Sequence, residues 1–298
     1  MHLFFRALLA AVLLTPGITP SQTFTTGILQ VDHYGTNARP PIIFVPALYC
    51  GAWQWNAQIK ALAPRYDLYV VTLPGFAGRP RAVGGDLMMR AVNSLHTIIA
   101  QHHLAGKVIV VGHSLGGTIS VMLAQTYPHD PRAVISVEGG YPVAPTAEGR
   151  ERAVARATKP FIDLGQSQLG PVLRKTQLQF VITRPADIDA VEKLASQSDP
   201  QAIVDWLRAA LLLDLTPGMS KIVVPFTAIV PYDESIDAYR GFPTEASKRA
   251  TYAAWVAHTR SGRVIVIAPS RHFVMFDQPA VFQETLEQVL ARDLQGSK

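Results

Sequence analysis

The stretch KVIVVGHSLGG constrains the fold of this chain more than any other. A continuous apolar run, residues 108–111, leads into the pattern G-x-S-x-G, and residues 118–127 suit a helix. A serine at the tip of so tight a turn needs glycine beside it, because side chains at Gly112 and Gly116 would collide with the neighbouring strand and helix. Strand, turn and helix together predict a nucleophile elbow, which presents the hydroxyl of Ser114 at the carboxyl end of a sheet.

Apolar runs alternate with helix-like segments along most of the chain, which predicts an α/β fold. Residues 27–34 alternate enough to be an outer antiparallel strand, and the other runs are typical of strands buried on both faces of a parallel sheet. Those runs are residues 42–45, 68–73, 108–111, 133–137, 223–230 and 263–268. We expect a mostly parallel central sheet flanked by helices, with ligands bound beyond the carboxyl ends of its strands.

Residues 141–220 interrupt this alternation with a helical pattern. The predicted helices are residues 146–159, 170–182, 185–196 and 200–213. A helical cap inserted between sheet strands would leave a core made of residues 27–140 and 221–298. One apolar helix face could form a wall of a substrate cavity: Ile203, Trp206, Leu207, Ala210 and Leu211.

The N-terminal residues 1–22 are predicted to be a signal peptide. One positive charge precedes an unbroken apolar run, residues 7–14, which Thr15-Pro16-Gly17 ends. Cleavage is expected between residues 17 and 25, and the run is too short to span a bilayer. The sequence therefore predicts a periplasmic or secreted protein without a stable membrane anchor.

Composition limits the possible partners. The 298 residues carry a formal charge of +5, but the basic residues are scattered and do not cluster with aromatics, so no nucleic-acid interface is expected. The one cysteine, Cys50, excludes an intramolecular disulfide. No metal-ligand spacing and no phosphate-binding glycine loop occurs, so we expect neither a metal nor a cofactor.

A serine nucleophile needs an adjacent base and a carboxylate that orients the base. Among nine histidines, His272 follows the last predicted strand and is the candidate base. Asp233, Glu234 and Glu138 each follow a strand. The shorter side chain of Asp233 favours it, since it holds an imidazole with less rotamer freedom, and the other two stay open as alternatives.

Backbone amides are the expected donors to a developing oxyanion. The N–H of Leu115 follows the nucleophile, and Leu48, with Ala47 next, lies in the loop after the strand at residues 42–45. The substrate pocket is expected to be lined by aromatic side chains and by the histidine next to the nucleophile: His113, Trp53, Phe76 and Phe273.

The segments FVPALYCGAW, LPGFAGR, VVGHSLGG, IVPYDES and SRHFVMFDQP together resemble the α/β-hydrolase superfamily over nearly the whole mature chain. The resemblance implies a serine esterase or lipase-like enzyme with a helical lid and the chain order Ser, acid, His. Two departures stand out. Pro46-Ala47 replaces a usual His-Gly in the oxyanion loop, and Pro231 replaces a usual glycine before the acid, from which counting favours Glu234.

Acyl chemistry at a serine predicts hydrolysis of carboxylic esters of small to medium apolar substrates through an acyl-enzyme. Perhydrolysis, acyl transfer or a lyase reaction could use the same residues without a cofactor, since fold alone does not decide the reaction. A catalytically silent binding protein is the third class. Labelling of Ser114 by a fluorophosphonate separates this class from the enzymes.

Overall fold

The core of the protein is one eight-stranded sheet. The computed structural model describes residues 18–295. The strands are β1 (Gln22–Thr26), β2 (Leu29–Tyr34), β3 (Pro41–Val45), β4 (Asp67–Thr72), β5 (Val108–His113), β6 (Pro131–Val137), β7 (Phe226–Pro231) and β8 (Gly262–Ile267). Most of the predicted signal peptide, residues 1–17, lies outside the described residues.

The strands follow the order β1-β2-β4-β3-β5-β6-β7-β8. The β1–β2 and β2–β4 pairs are antiparallel, and every other pair is parallel. All residues of β3, β4, β5 and β7 are buried, which explains their continuous apolar sequences. Because β5 and β6 are parallel neighbours, Ser114 and Glu138, the residues after their ends, lie at one edge of the sheet.

Helices flank the sheet and fill the segment between β6 and β7. They are α1 (Asn56–Leu62), α2 (Leu87–Gln101), α3 (Leu115–Thr126), α4 (Ala147–Thr158), α5 (Leu169–Leu173), α6 (Gln179–Val181), α7 (Pro185–Ala195), α8 (Pro200–Leu211), α9 (Glu234–Asp237), α10 (Glu245–Val256), α11 (Val274–Asp277) and α12 (Pro279–Gln295). Helices α4 to α8, which lie between β6 and β7, are called the inserted helices below.

Hydrogen bonds fix α8 against the carboxyl-end loops of the sheet. Asp199 caps the helix, accepting from the N–H groups of its first turn, and its own N–H donates to the carbonyl of Gly75 at 2.7 Å. Inside the helix, the indole N–H of Trp206 donates to the carbonyl of Pro74 at 3.1 Å. The loop after β4 therefore places α8 above the sheet edge that carries Ser114.

Two local features were not predicted from the sequence. Residues 22–26, for which no strand was expected, form β1 and pair with β2 in a hairpin. The helix predicted over residues 170–182 is broken into α5, a π-helical stretch at Arg174–Leu178, and α6. Hydrophobic periodicity does not distinguish a π-helical turn from the α-helix around it.

Candidate active site

Ser114 sits on a strained turn between β5 and α3. Its backbone adopts φ 54° and ψ −114°, a conformation that residues other than glycine rarely take. A side chain at Gly112 would place Cβ 2.2 Å from the carbonyl oxygen of Gly116, and one at Gly116 would meet the carbonyl of Val45 at the same distance. These distances explain why the turn needs glycine at both positions, as the sequence analysis expected.

Glu138 occupies an equivalent place at the end of the neighbouring strand β6. Its φ of 42° is also positive, and its N–H donates to the carbonyl of Ile229 on β7 at 2.9 Å. The next residue, Gly139, packs so closely on the elbow that a Cβ there would lie 2.4 Å from the carbonyl oxygen of Ser114. The two strained residues therefore belong to adjoining turns.

His272 contacts Glu138 from the loop after β8. Its Nδ1 lies 2.6 Å from the Oε2 of Glu138, and the side chains are 20% and 11% exposed. A carboxylate accepts hydrogen bonds only, so Nδ1 is the donor in this contact, and in the neutral ring Nε2 is the nitrogen that can accept a proton. The loop is held by the N–H of Phe273, which donates to the carbonyl of Val181 at 3.0 Å.

Asp233, the favoured carboxylate, does not reach the imidazole. Its Oδ2 accepts from the Nε of Arg271 at 3.0 Å, and its Oδ1 accepts from the N–H of Ser235 at 2.9 Å as the cap of α9. Glu234 is exposed on that short helix. The structure thus corrects the expected contact: of the three candidates, Glu138 is the one hydrogen-bonded to His272.

Neighbouring groups stabilise the ionised form of Glu138. Burial favours the neutral acid, but Lys248 and His272 together outweigh burial and hold the pKa of Glu138 well below its usual range. The Nζ of Lys248 lies 2.7 Å from Oε1, on the side of the carboxylate away from His272. Glu138 is therefore a buried carboxylate with a partner on each oxygen.

His113 belongs to a buried hydrogen-bond chain behind the elbow. The N–H of Ala47 donates to the Oε1 of Gln54 at 2.8 Å, the Nε2 of Gln54 donates to the Nδ1 of His113 at 3.0 Å, and the Nε2 of His113 donates to the carbonyl of His272 at 2.9 Å. Burial, followed by the nearby His272, lowers the pKa of His113 well below its usual value. A neutral His113 thus connects the loop after β3 to the backbone of the His272 loop.

A cavity of about 160 Å³ contains Ser114 and the edge of Glu138. The part of its wall that comes from α8 and the residues just after it is apolar: Trp206, Leu207, Ala210, Leu211, Leu213 and Leu215. Four of these residues belong to the apolar helix face that the sequence predicted as a cavity wall. The fifth residue of that predicted face, Ile203, is completely buried and does not line the cavity.

The four residues predicted to line the pocket are not in this cavity wall. His113, Phe76 and Phe273 are completely buried, and Trp53 is half-buried. The ring of Phe273 packs on His113 with centroids 4.8 Å apart, and that of Phe76 lies 6.5 Å from Trp206. Phe76 and Phe273 belong to the hydrophobic core and Trp53 packs against it, where the burial of apolar surface is favourable.

Leu48 and Leu115, the predicted amide donors, both line the cavity beside Ser114. Within the part of the chain that the structure describes, no protein acceptor takes a hydrogen bond from either N–H. Residues 18–295 also contain no group of three His, Cys, Asp or Glu side chains placed to hold a metal ion. None of the helices in that span has the length and apolarity needed to cross a bilayer.

The sheet order and this site define an α/β hydrolase. Residues 42–285 match the model of the alpha/beta hydrolase family, so the chain belongs to that family of enzymes. It is 25% identical over 276 residues to the pimeloyl-[acyl-carrier protein] methyl ester esterase of Aeromonas hydrophila, covering 83% of this chain and 99% of that protein. A match to the uncharacterized hydrolase YugF of Bacillus subtilis, 25% identical over 127 residues, covers 42% of this chain and only 46% of YugF.

Solved structures agree on the fold. A thermophilic esterase from Thermogutta terrifontis superposes with a TM-score of 0.72 at 18% identity, covering 92% of this chain and 99% of that one. The bromoperoxidase from Bacillus anthracis gives a TM-score of 0.74 at 17% identity, covering 91% and 100%. At such identities the likeness concerns architecture alone.

Proposed function

We propose that this enzyme is a serine esterase that hydrolyses carboxylic esters with short apolar acyl groups through an acyl-enzyme. Ser114 is the nucleophile, His272 the general base and Glu138 the acid that orients it. The observation that carries the proposal is the hydrogen bond of 2.6 Å between His272 and Glu138, whose carboxylate shares one small cavity with Ser114. The similarity to the Aeromonas hydrophila esterase, which covers 99% of that protein, supports ester hydrolysis as the reaction.

Each group has a role in the proposed reaction. The hydroxyl of Ser114 attacks the ester carbonyl while its proton passes to the Nε2 of His272, and Glu138 stabilises the imidazolium that forms. The amides of Leu48 and Leu115 donate to the oxyanion of the tetrahedral intermediate. The bond to the alcohol then breaks as His272 returns the proton to it, and water releases the acid from Ser114 by the same two steps.

The cavity limits the acyl group. A cavity of about 150 Å³ holds a molecule the size of benzene, so the volume of about 160 Å³ here suits an acyl chain of roughly six carbons. Its leucine-rich wall from the inserted helices disfavours charged acyl groups, because burying an unpaired charge is strongly unfavourable. We therefore expect kcat/KM for p-nitrophenyl esters to peak at butyrate or hexanoate and to fall for decanoate.

Covalent labelling tests the nucleophile directly. A fluorophosphonate probe should label the wild-type protein and fail to label Ser114→Ala, while Ser167→Ala, a change at an exposed serine, should label normally. Persistent labelling of Ser114→Ala would refute the assignment. Adding hydrogen peroxide or methanol as a second acceptor in the ester assay separates hydrolysis from perhydrolysis and acyl transfer, since both compete with water for the acyl-enzyme.

Export to the periplasm or the medium is a separate part of the proposal, supported by the sequence of residues 1–22. Cell fractionation followed by N-terminal sequencing of the mature protein tests it. A cytoplasmic protein that retains residues 1–22 would contradict it.

A further inference from the structure

Lys248 is a lysine buried in the core. Its side chain is 2% exposed, and it lies on the buried face of α10 with Tyr252, Trp255 and Val256. Removing an ammonium from water is very unfavourable unless it is paired and hydrogen-bonded, so its environment must supply compensating charge.

Two carboxylates and one aromatic ring surround this ammonium. The Nζ of Lys248 lies 2.7 Å from the Oε1 of Glu138 and 2.8 Å from the Oδ1 of Asp237, whose side chain is 5% exposed. The ring of Phe242 lies with its centroid 5.6 Å from Nζ. The other oxygen of Asp237, Oδ2, accepts from the N–H of Asp233 at 2.8 Å, which ties the cluster to the loop after β7.

The cluster of Glu138, Asp237 and Lys248 holds one negative charge in excess, because two carboxylates face one ammonium. When His272 takes up a proton, the resulting imidazolium neutralises the whole group. A buried neutral group is far better tolerated than a buried net charge. The net charge of the cluster is therefore better balanced when His272 is an imidazolium, as it is in the reaction intermediate, than when His272 is neutral, as in the resting enzyme.

Lys248 also fixes the orientation of the carboxylate. With Oε1 of Glu138 held by Lys248, only Oε2 is available to His272, at 2.6 Å. Lys248 itself is not in the cavity wall, so it does not contact substrate there. An effect of Lys248 on catalysis must therefore pass through Glu138.

We propose that Lys248, paired with Asp237, is a positioning residue of the active site. It sets the orientation of the Glu138 carboxylate that faces His272, and it sets the net charge of the cluster of Glu138, Asp237 and Lys248. This inference rests on the proposed function, since it assumes that Glu138 serves His272 in catalysis. Three other titratable side chains are electrostatically coupled to these groups: His113 from β5 to His272 and Glu138, Tyr252 from α10 to Glu138 and Asp237, and Tyr232 after β7 to Asp237 and Lys248. The Arg271–Asp233 pair adjoins the cluster through the N–H of Asp233, which donates to Asp237.

Opposite changes of charge should move the pH profile in opposite directions. Lys248→Met keeps the apolar stem but leaves two carboxylates without a cation, which stabilises an imidazolium and should move the acid limb of kcat to higher pH by about one unit. Asp237→Asn keeps an oxygen acceptor but removes the excess negative charge, so the limb should move to lower pH. The double variant restores the original net charge and should return the limb close to the wild-type position.

The size of kcat gives a second readout. Loss of the clamp on Glu138 should lower the plateau of kcat in Lys248→Met by about 10²-fold, the effect typical of a catalytic group misplaced by an ångström, while KM changes less than about threefold. The matched control is Arg249→Met, which removes an exposed cation from the next position of the same helix. Near-UV circular dichroism verifies folding of each variant.

The outcomes separate this inference from the proposed function. If Glu138→Gln is inactive while Lys248→Met and Asp237→Asn keep both the wild-type kcat and the wild-type limb, the triad stands and the positioning role is refuted. If Glu138→Gln retains full activity, the triad itself fails. Should Lys248→Met not fold, the direction of the shift in Asp237→Asn decides, because a merely structural role would lower stability without moving the limb.

Discussion

Replacing Glu138 by glutamine should nearly abolish activity. The Nδ1 of His272 and Oε2 of Glu138 are 2.6 Å apart, so the charge centres of an imidazolium and this carboxylate lie roughly 4 Å apart. At an effective dielectric constant of about 20, that attraction is about 4 kcal/mol. Since each 1.36 kcal/mol is a factor of ten in rate, kcat should fall by about 10³-fold.

Tautomer choice should add to this loss. In Glu138→Gln the new amide oxygen would satisfy Lys248, which turns the amide nitrogen toward the Nδ1 of His272. A donor in that place favours the tautomer with its proton on Nε2, which cannot accept the proton of Ser114. The fold should survive, because Lys248 keeps its contact with Asp237.

Asp233→Asn and Glu234→Gln are the matched controls, since they change the two carboxylates that chain order favoured. Hydrolysis of p-nitrophenyl butyrate should retain kcat within about threefold of wild type in both variants, because neither side chain contacts His272. Full activity in Glu138→Gln, or an equally severe loss in Asp233→Asn, would show that the acid has been misassigned.

Three further predictions test the surroundings of the site. Ala210→Phe should fill part of the cavity wall and lower kcat/KM for the hexanoate ester by about 10-fold or more relative to the acetate ester. Gln54→Ala should lower the free energy of unfolding by about 2–4 kcal/mol in urea titrations, because two buried polar groups each lose a partner. The third concerns pH: the pKa of Glu138 is held below its usual value of about 4.3, so its contribution to stability is complete above that pH and is lost as pH falls through the lower folded pKa. Urea unfolding of the wild type from about pH 6 to about pH 3 should therefore lose more stability than that of Glu138→Gln.

The elbow could be predicted from sequence because its constraints are local. Gly112, Ser114 and Gly116 follow a strand and precede a helix, and the close backbone contacts confirm why no larger residue fits. His272 could likewise be proposed from its place after the last strand. These features need only chain order and the rule that parallel strands end at one edge.

The carboxylate could not be chosen in this way. Asp233 and Glu138 both follow parallel strands, and the choice depends on which side chain turns toward the imidazole. The carboxylate of Asp233 caps α9, whereas the carboxylate of Glu138 contacts His272 and Lys248. One signal was present: Lys248 falls on the apolar face of α10 with Tyr252, and a lysine in such a position requires a buried acid.

The pocket was misjudged for a different reason. Aromatic side chains near the predicted mouth, such as Phe76 and Phe273, are completely buried in the core. The wall comes instead largely from the apolar face of α8, including Trp206, and the placement of this helix depends on contacts distant in sequence, such as the hydrogen bond from Trp206 to the carbonyl of Pro74. Periodicity identified the apolar face of α8 but could not say which core residues would oppose it.

The contacts of the loop after β3 connect substrate selection to catalysis. Leu48, which lines the cavity, lies between Ala47, which donates to Gln54, and Tyr49, whose carbonyl accepts from Ser198 at 3.3 Å. Ser198 lies just before the cap of α8, so the helix that forms the apolar wall also holds the loop of the proposed oxyanion site. A substitution that shifts α8 should therefore change kcat as well as acyl preference, because both depend on where this one loop is held.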